Sequence, residues 1–331
     1  MNSTKDLKAI YENGLKQKLT AFEKQRKSVV MFSLFPILAL VLSVLTVVLI
    51  FTLMGRDIIT KNQAGIGTIF VFVFFFSFFW LMGLAQRRRA KYAAVYKKEV
   101  VSRIISTIDP EWMYIQDSCI CEKDYAKSGL FNRAVDIYSG DDLVMGKVGK
   151  TSFESSELHT QYTTQSTDSD GDTHTERHGI FKGFFFQSVF NKHFQGQTVV
   201  IHGELEEVAD AFHGFKGKHK GKQKYVKLEN PEFDKLFTVQ STDQIEARYI
   251  LTPGLMQALV NIQKKHNNSM RVSFLEDKVY LTISFRKDLF EPRVWKSGTD
   301  FSTVEEIWDL FMLNADIINE LDLNTRIWTK K

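Results

Sequence analysis

The run "DSDGDTHTERH" places Asp168, Asp170, Asp172, His174, Glu176 and His178 at every second position, each able to ligate a metal. On an extended strand alternate side chains share a face, so all six would point one way with neighbours about 7 Å apart. Two neighbours can grip one cation at that spacing, whereas His174 and His178, about 13 Å apart, cannot share it. The carboxylates do not make a calcium loop, because Gly171 and Glu176 miss the positions that the twelve-residue loop needs. A metal-dependent enzyme using this run would need further ligands, such as His159 or His193. The reading the residues favour is plainer: a polar turn between strands, flanked by Thr and Ser.

A second alternation, "HGFKGKHKGKQKYVK", holds Lys216, Lys218, Lys220, Lys222 and Lys224, with no acid between Asp210 and Glu229. Beside an anionic leaflet each lysine that reaches the surface gains about 1 kcal/mol; away from one, the segment is a Gly-rich solvated loop. Arg87, Arg88, Arg89 and Lys91 form a second basic group suited to lipid headgroups. Cys119 and Cys121, the only cysteines, fall two apart on an expected strand. In a reducing compartment they read as small buried apolar residues, since a bridge across that spacing is strained and no second pair completes a zinc site. The chain contains no G-x-x-x-x-G-K-[ST], no G-x-S-x-G and no H-E-x-x-H. No catalytic residue and no cofactor is therefore expected.

These residues hang on an unusual frame. From Ser28 to Gly55 and from Asn62 to Gln86 there is no charged residue. Each stretch exceeds the roughly 20 residues that cross about 30 Å of hydrocarbon, so both read as transmembrane helices, spanning about 29–54 and 64–85. Seven basic residues lie within 1–28 and seven within 86–103, against two in the connection 55–63. By the positive-inside rule both termini are expected in the cytoplasm, with a short external loop. Those three flanks carry net +4, +6 and +1 against +4 for the chain, which leaves −7 for residues 104–331. That balance argues against nucleic acid as a partner of the soluble part. The spans hold no ionisable group, as an anchor does and an ion or substrate pathway usually does not.

Juxtamembrane helices are expected on both sides of the hairpin. Leu7, Ile10, Tyr11, Leu15, Leu19 and Phe22 form one apolar stripe within 1–28, and Ala93, Tyr96, Val100 and Ile104 another within 87–109, closed by Asp109-Pro110. Residues 110–331 read as an α+β domain of mostly antiparallel sheet. "WMYIQDSCIC" suggests a strand, and the segment from Asp136 to Leu158 a pair turning near Ser139–Asp142. Asp243 with Glu246, and Ser302 with Glu305, have capping-box spacing, and Thr252-Pro253 restarts a helix. "MRVSFLEDKVYLTISF" is a hairpin by its alternation.

In the C-terminal half, "LFTVQSTDQIEARYILTPGLMQAL", a hairpin and "DLFEP" resemble the bacterial membrane-protein family known as domain of unknown function 3137. The two N-terminal spans and "FKGFFFQSVFNKHFQGQT" are similar to that family's layout. The resemblance is carried above all by residues 236–292. It implies a bacterial cytoplasmic (inner) membrane protein with a cytosolic domain, and brings no activity or catalytic residue with it. The function expected is a membrane-anchored cytosolic binding or scaffold module that contacts anionic lipid and a protein partner or its own copies. A metal-dependent enzyme on residues 168–178 and a subunit of an oligomeric membrane assembly are the alternatives.

Overall fold

The computed structural model describes residues 7–9, 11–56, 58, 60–168, 172–190, 193–203, 224–321 and 323. The chain divides into two compact units, one of Met1–Arg103 with Glu291–Glu306, the other of Ile104–Phe290 with Ile307–Lys331.

The first unit is a helical hairpin. A π turn, Tyr11–Leu15, leads into α1 (Lys16–Gly55), and α2 (Lys61–Tyr96) returns antiparallel to it. Both helices are long and apolar enough to cross a membrane. Their seam is close where side chains are small: Ile50 packs directly on Gly67, and the Ser43 hydroxyl lies 3.5 Å from the Val71 carbonyl. Beyond the uncharged runs the helices stay paired, with the Phe22 and Tyr96 rings edge to face at 6.5 Å and Lys18 3.4 Å from Glu99. The apolar stripes expected there are buried at Leu7, Tyr11, Leu15, Leu19, Tyr96 and Val100. A second π turn, Lys97–Val101, passes into α3 (Ser102–Ile108), which ends before Pro110 as expected.

Among the described residues, the second unit is a nine-stranded antiparallel sheet with helices. Its strands are β1 (Met113–Ile115), β2 (Ile137–Val148), β3 (Thr151–Thr167), β4 (Thr173–Val189), β5 (Gln197–His202), β6 (Lys224–Tyr225), β7 (Phe237–Ser241), β8 (Met270–Leu275) and β9 (Lys278–Ser284), in the order β1-β2-β3-β4-β9-β8-β5-β7-β6. The helices are α4 (Glu122–Lys127), α5 (Pro231–Leu236), α6 (Gln244–Ile250), α7 (Pro253–His266) and α8 (Phe301–Glu320), whose first turn belongs to the first unit. One face of the sheet packs Leu158, Phe181, Phe185, Val199, Ile201 and Tyr280 against Ile120, Tyr125 and Leu130. Strand alternation puts Phe184 and Phe186 on the other face, where they are also buried, Phe186 stacked on Phe153.

Three local expectations are corrected. The turn expected near Ser139–Asp142 falls instead at Gly149-Lys150, where Gly149 takes φ 61°, and residues 139–142 lie inside β2. The strand expected through Cys121 stops at Ile115, so Cys119 is only half-buried and Cys121, preceding α4, is exposed. α8 starts at Phe301, and the Asp300 carboxylate, not Ser302, accepts a first-turn amide, from Ser302 at 3.1 Å. The α6 and α7 caps stand: Asp243 accepts from the amides of Ile245 and Glu246, and Thr252 from that of Leu255.

Candidate functional site

The alternating acid and histidine run occupies the end of the β3–β4 hairpin and the start of β4. Thr167 pairs with Thr173, and across the tip the Asp172 amide donates to Asp168 Oδ1 at 2.9 Å. His174 Nε2 lies 3.2 Å from Asp168 Oδ2. His178 is 2.8 Å from the Thr164 hydroxyl and 3.7 Å from Glu176, and its ring stacks on Tyr162 at 4.9 Å. The structure thus brings Asp168 to His174 and Glu176 to His178 as two separate exposed pairs, and Asp172 meets Asp168 through its backbone. Asp170 lies outside the described residues. His159 stands opposite Lys182, far along the hairpin from its tip, and His193 is exposed between β4 and β5.

Of the basic residues, Lys216, Lys218, Lys220 and Lys222 lie outside the described residues, and Lys224 is exposed on β6. Arg87, Arg88, Arg89 and Lys91 are exposed along α2, and the Arg88 guanidinium sits over the Phe32 ring at 3.6 Å.

A different set of carboxylates converges inside the sheet. Among the described residues, Asp141, Asp142 and Glu157 bring one ligand oxygen each to within 4.8 Å of one another. Asp141 is the register partner of Glu157, and the pairing of β2 with β3 slips between Asp141 and Val144. Asp142 takes φ 58° at this irregularity, where its amide donates to the Gln116 carbonyl and the next amide, of Leu143, to the Ser118 carbonyl. An extra residue in one strand re-aims side chains in this way. The Tyr114 hydroxyl donates to Asp142, and the Leu289 amide donates to Glu157 Oε2 at 2.8 Å. Nearby, Lys182 pairs with Asp288 at 2.7 Å, a contact that holds the ammonium above its usual range.

Burial pushes the Glu157 carboxyl up to about 7; the Leu289 amide opposes this, and the charges of Asp141, Asp288 and Asp142 add to it. Crowded carboxylates resolve such repulsion by retaining a proton, or by taking up a hard cation with oxygen ligands. The sequence reading missed this cluster because Asp141-Asp142 looked like turn residues. No local signal marks Glu157, since β3 also carries Glu154 and His159, and its burial is set by the strands beside it.

On the sheet's surface, an open cleft of about 450 Å³ is lined by Met113, Met145, Phe153 and Val189 among polar residues. Its polar wall is connected: Lys278 Nζ donates to Gln187 Oε1 at 3.3 Å, and Gln187 Nε2 to Glu154 Oε2 at 2.6 Å. Methionine floors adapt to different apolar groups, while the Lys278–Gln187–Glu154 row offers both signs of charge.

Residues 179–323 match the model of a family described as "Protein of unknown function (DUF3137)". That span contains residues 236–292, where the resemblance in the sequence is strongest. The comparison with curated proteins finds no match. Among solved structures, the crystal structure of the mycobacterial trehalose monomycolate transport factor A, TtfA, is similar at 11% identity and TM-score 0.31, over 64% of this chain and 95% of that one. A score that low extends neither that protein's fold nor its transport role to this chain.

Proposed function

We propose that the chain is a membrane-anchored binding module. In this reading α1 and α2 cross a bacterial cytoplasmic membrane, both ends of the chain lie on the cytoplasmic side, and the sheet unit offers a cytosolic partner the cleft around Met113 and Met145. The observation that carries the anchor is the exposure of apolar side chains along both helices. Phe51 is 72% exposed, Trp80 68% and Ile69 62%. Soluble monomers rarely expose contiguous apolar patches beyond a few hundred Å², whereas lipid tails cover them at no cost. The asymmetry of basic residues supports the orientation, and the adaptable floor of the cleft supports binding rather than catalysis.

The full chain should stay with the membrane pellet through an alkaline carbonate wash, and a reporter active only outside the cytoplasm should stay silent when fused after Lys331. Release by the wash would remove the anchor, and an active reporter would reverse the orientation. For the cleft, proteins that co-purify with the full chain from solubilised membranes should be lost on Met113→Lys. An unchanged set would remove the cleft from the reading.

A further inference from the structure

Residues Glu291–Glu306 belong to the helical unit, although more than 180 residues separate them in sequence from its helices. Their attachment is specific. Arg26 Nη1 donates to the Val294 carbonyl at 2.6 Å while its other nitrogens hold Glu23, and Glu23 Oε2 accepts the Gly298 amide at 3.1 Å. The Tyr11 hydroxyl donates to the Thr299 carbonyl, and the Tyr11 ring meets Phe301 edge to face at 5.2 Å. A side chain at Gly298 would already touch Glu23, Tyr92 and Arg26. Val294 and Pro292 are buried. Trp295, between two anchored positions, is not: it is 59% exposed.

The level at which Trp295 sits is fixed by the helices. Arg89 Cζ lies 5.9 Å from the centre of the Trp295 ring, within cation–π range. Arg89 is three residues past Gln86, where the uncharged run of α2 ends, and Arg26 is two residues before Ser28, where that of α1 begins. At about 1.5 Å per residue, both lie within roughly 5 Å of the ends of the apolar runs. Headgroup regions add about 5–7 Å to each side of the hydrocarbon, and tryptophan concentrates there because its ring is apolar while its N–H wants a partner.

We propose that Trp295, presented by the docked segment 292–298, is a third membrane contact, seated at the headgroup–acyl boundary of the leaflet that Arg87, Arg88 and Arg89 face. The bilayer is the occupant that fits. The site is continuous with the two helices that enter it, and the flanking Lys296 and Arg89 are exposed cations suited to anionic headgroups. The membrane end of this protein is then assembled from both halves of its sequence. The inference rests on α1 and α2 lying in a bilayer.

The test uses the full chain in vesicles of phosphatidylcholine and phosphatidylglycerol, seven to three, with acyl chains brominated either near the headgroup or near the bilayer centre. Emission lost on Trp295→Phe defines the Trp295 component, and emission lost on Trp80→Phe, within α2, defines an internal reference. Shallow bromines should quench the Trp295 component at least twofold more than deep ones, and the Trp80 component should be quenched as well. A quenched Trp80 with an unquenched Trp295 overturns the third contact and leaves the anchor standing. If neither component is quenched, the anchor reading fails and takes the third contact with it.

Discussion

Glu157 takes an ionisable group into the sheet with most of its solvation removed and three aspartates acting on it. Its folded pKa of about 7 lies above the 4.5 of an ordinary glutamate, so between those values the folded chain binds the proton and the unfolded chain does not. Stability from this group is therefore full below pH 4.5 and is lost as pH rises through 7, by at most about 3 kcal/mol. Glu157→Gln keeps an oxygen for the Leu289 amide and removes the charge. Denaturant melts at several pH values should show the wild type losing stability between about pH 4.5 and 7 relative to this variant, and two parallel profiles would refute the assignment. None of this was legible in the sequence, because a carboxylate's burial depends on which strand lies across from it. By contrast, Asp243 and Thr252 could be identified in advance as caps, since a cap acts on amides two or three residues away.

At the level of the element, β4 holds the two halves of the sheet together by pairing with β3 on one edge and β9 on the other. Gly183 sits where both pairings meet, opposite Leu158 and Ser284, with φ 146°. A Cβ there would lie 2.7 Å from the Phe285 amide nitrogen and closer still to the Ile283 carbonyl oxygen, both backbone atoms that cannot swing aside. Gly183→Ala should cost well over about 1 kcal/mol, seen as a lower Tm. An unchanged Tm would mean that the strand relaxes without loss. Alternation identified β8 and β9, because their period is written in neighbouring residues. It misplaced the β2–β3 turn because Ser139-Gly140-Asp141-Asp142 has turn composition, while Gly149-Lys150 makes the tight reversal with one positive-φ residue. Of the alternating Asp and His residues, His174, Glu176 and His178 lie along β4 while Asp168 and Asp172 lie at the hairpin tip, and the pairs they form follow from that tip, which spacing alone does not give.

The path of the whole chain is harder to see in the sequence than any of its parts. It leaves the helical unit at Arg103, builds the sheet, returns as residues 291–306 and leaves again along α8. The uncharged runs announce the helices, and the hairpins announce the sheet. Nothing in "EPRVWKSGTDF" announces that it docks on Glu23 and Arg26, because that contact joins residues 268 and 275 positions apart. The consequence is a division of labour that a truncation can expose. A chain beginning at Ile104 keeps the sheet strands and their pairings, yet loses Tyr11, Glu23, Arg26 and Arg89, the groups that hold segment 292–299. Arg293 and Lys296 would then sit in a strand of backbone without those partners, and proteases cut such segments in proportion to the time they spend open. Limited trypsin digestion should therefore cleave the truncated chain after Arg293 or Lys296 at least tenfold faster than the full chain in nanodiscs. Full chains carrying Glu23→Gln with Arg26→Gln, which keep both helices, should fall between the two. Equal cleavage in all three would show that the segment is held without the helices, and the reading of residues 291–306 as part of the helical unit would have to be given up.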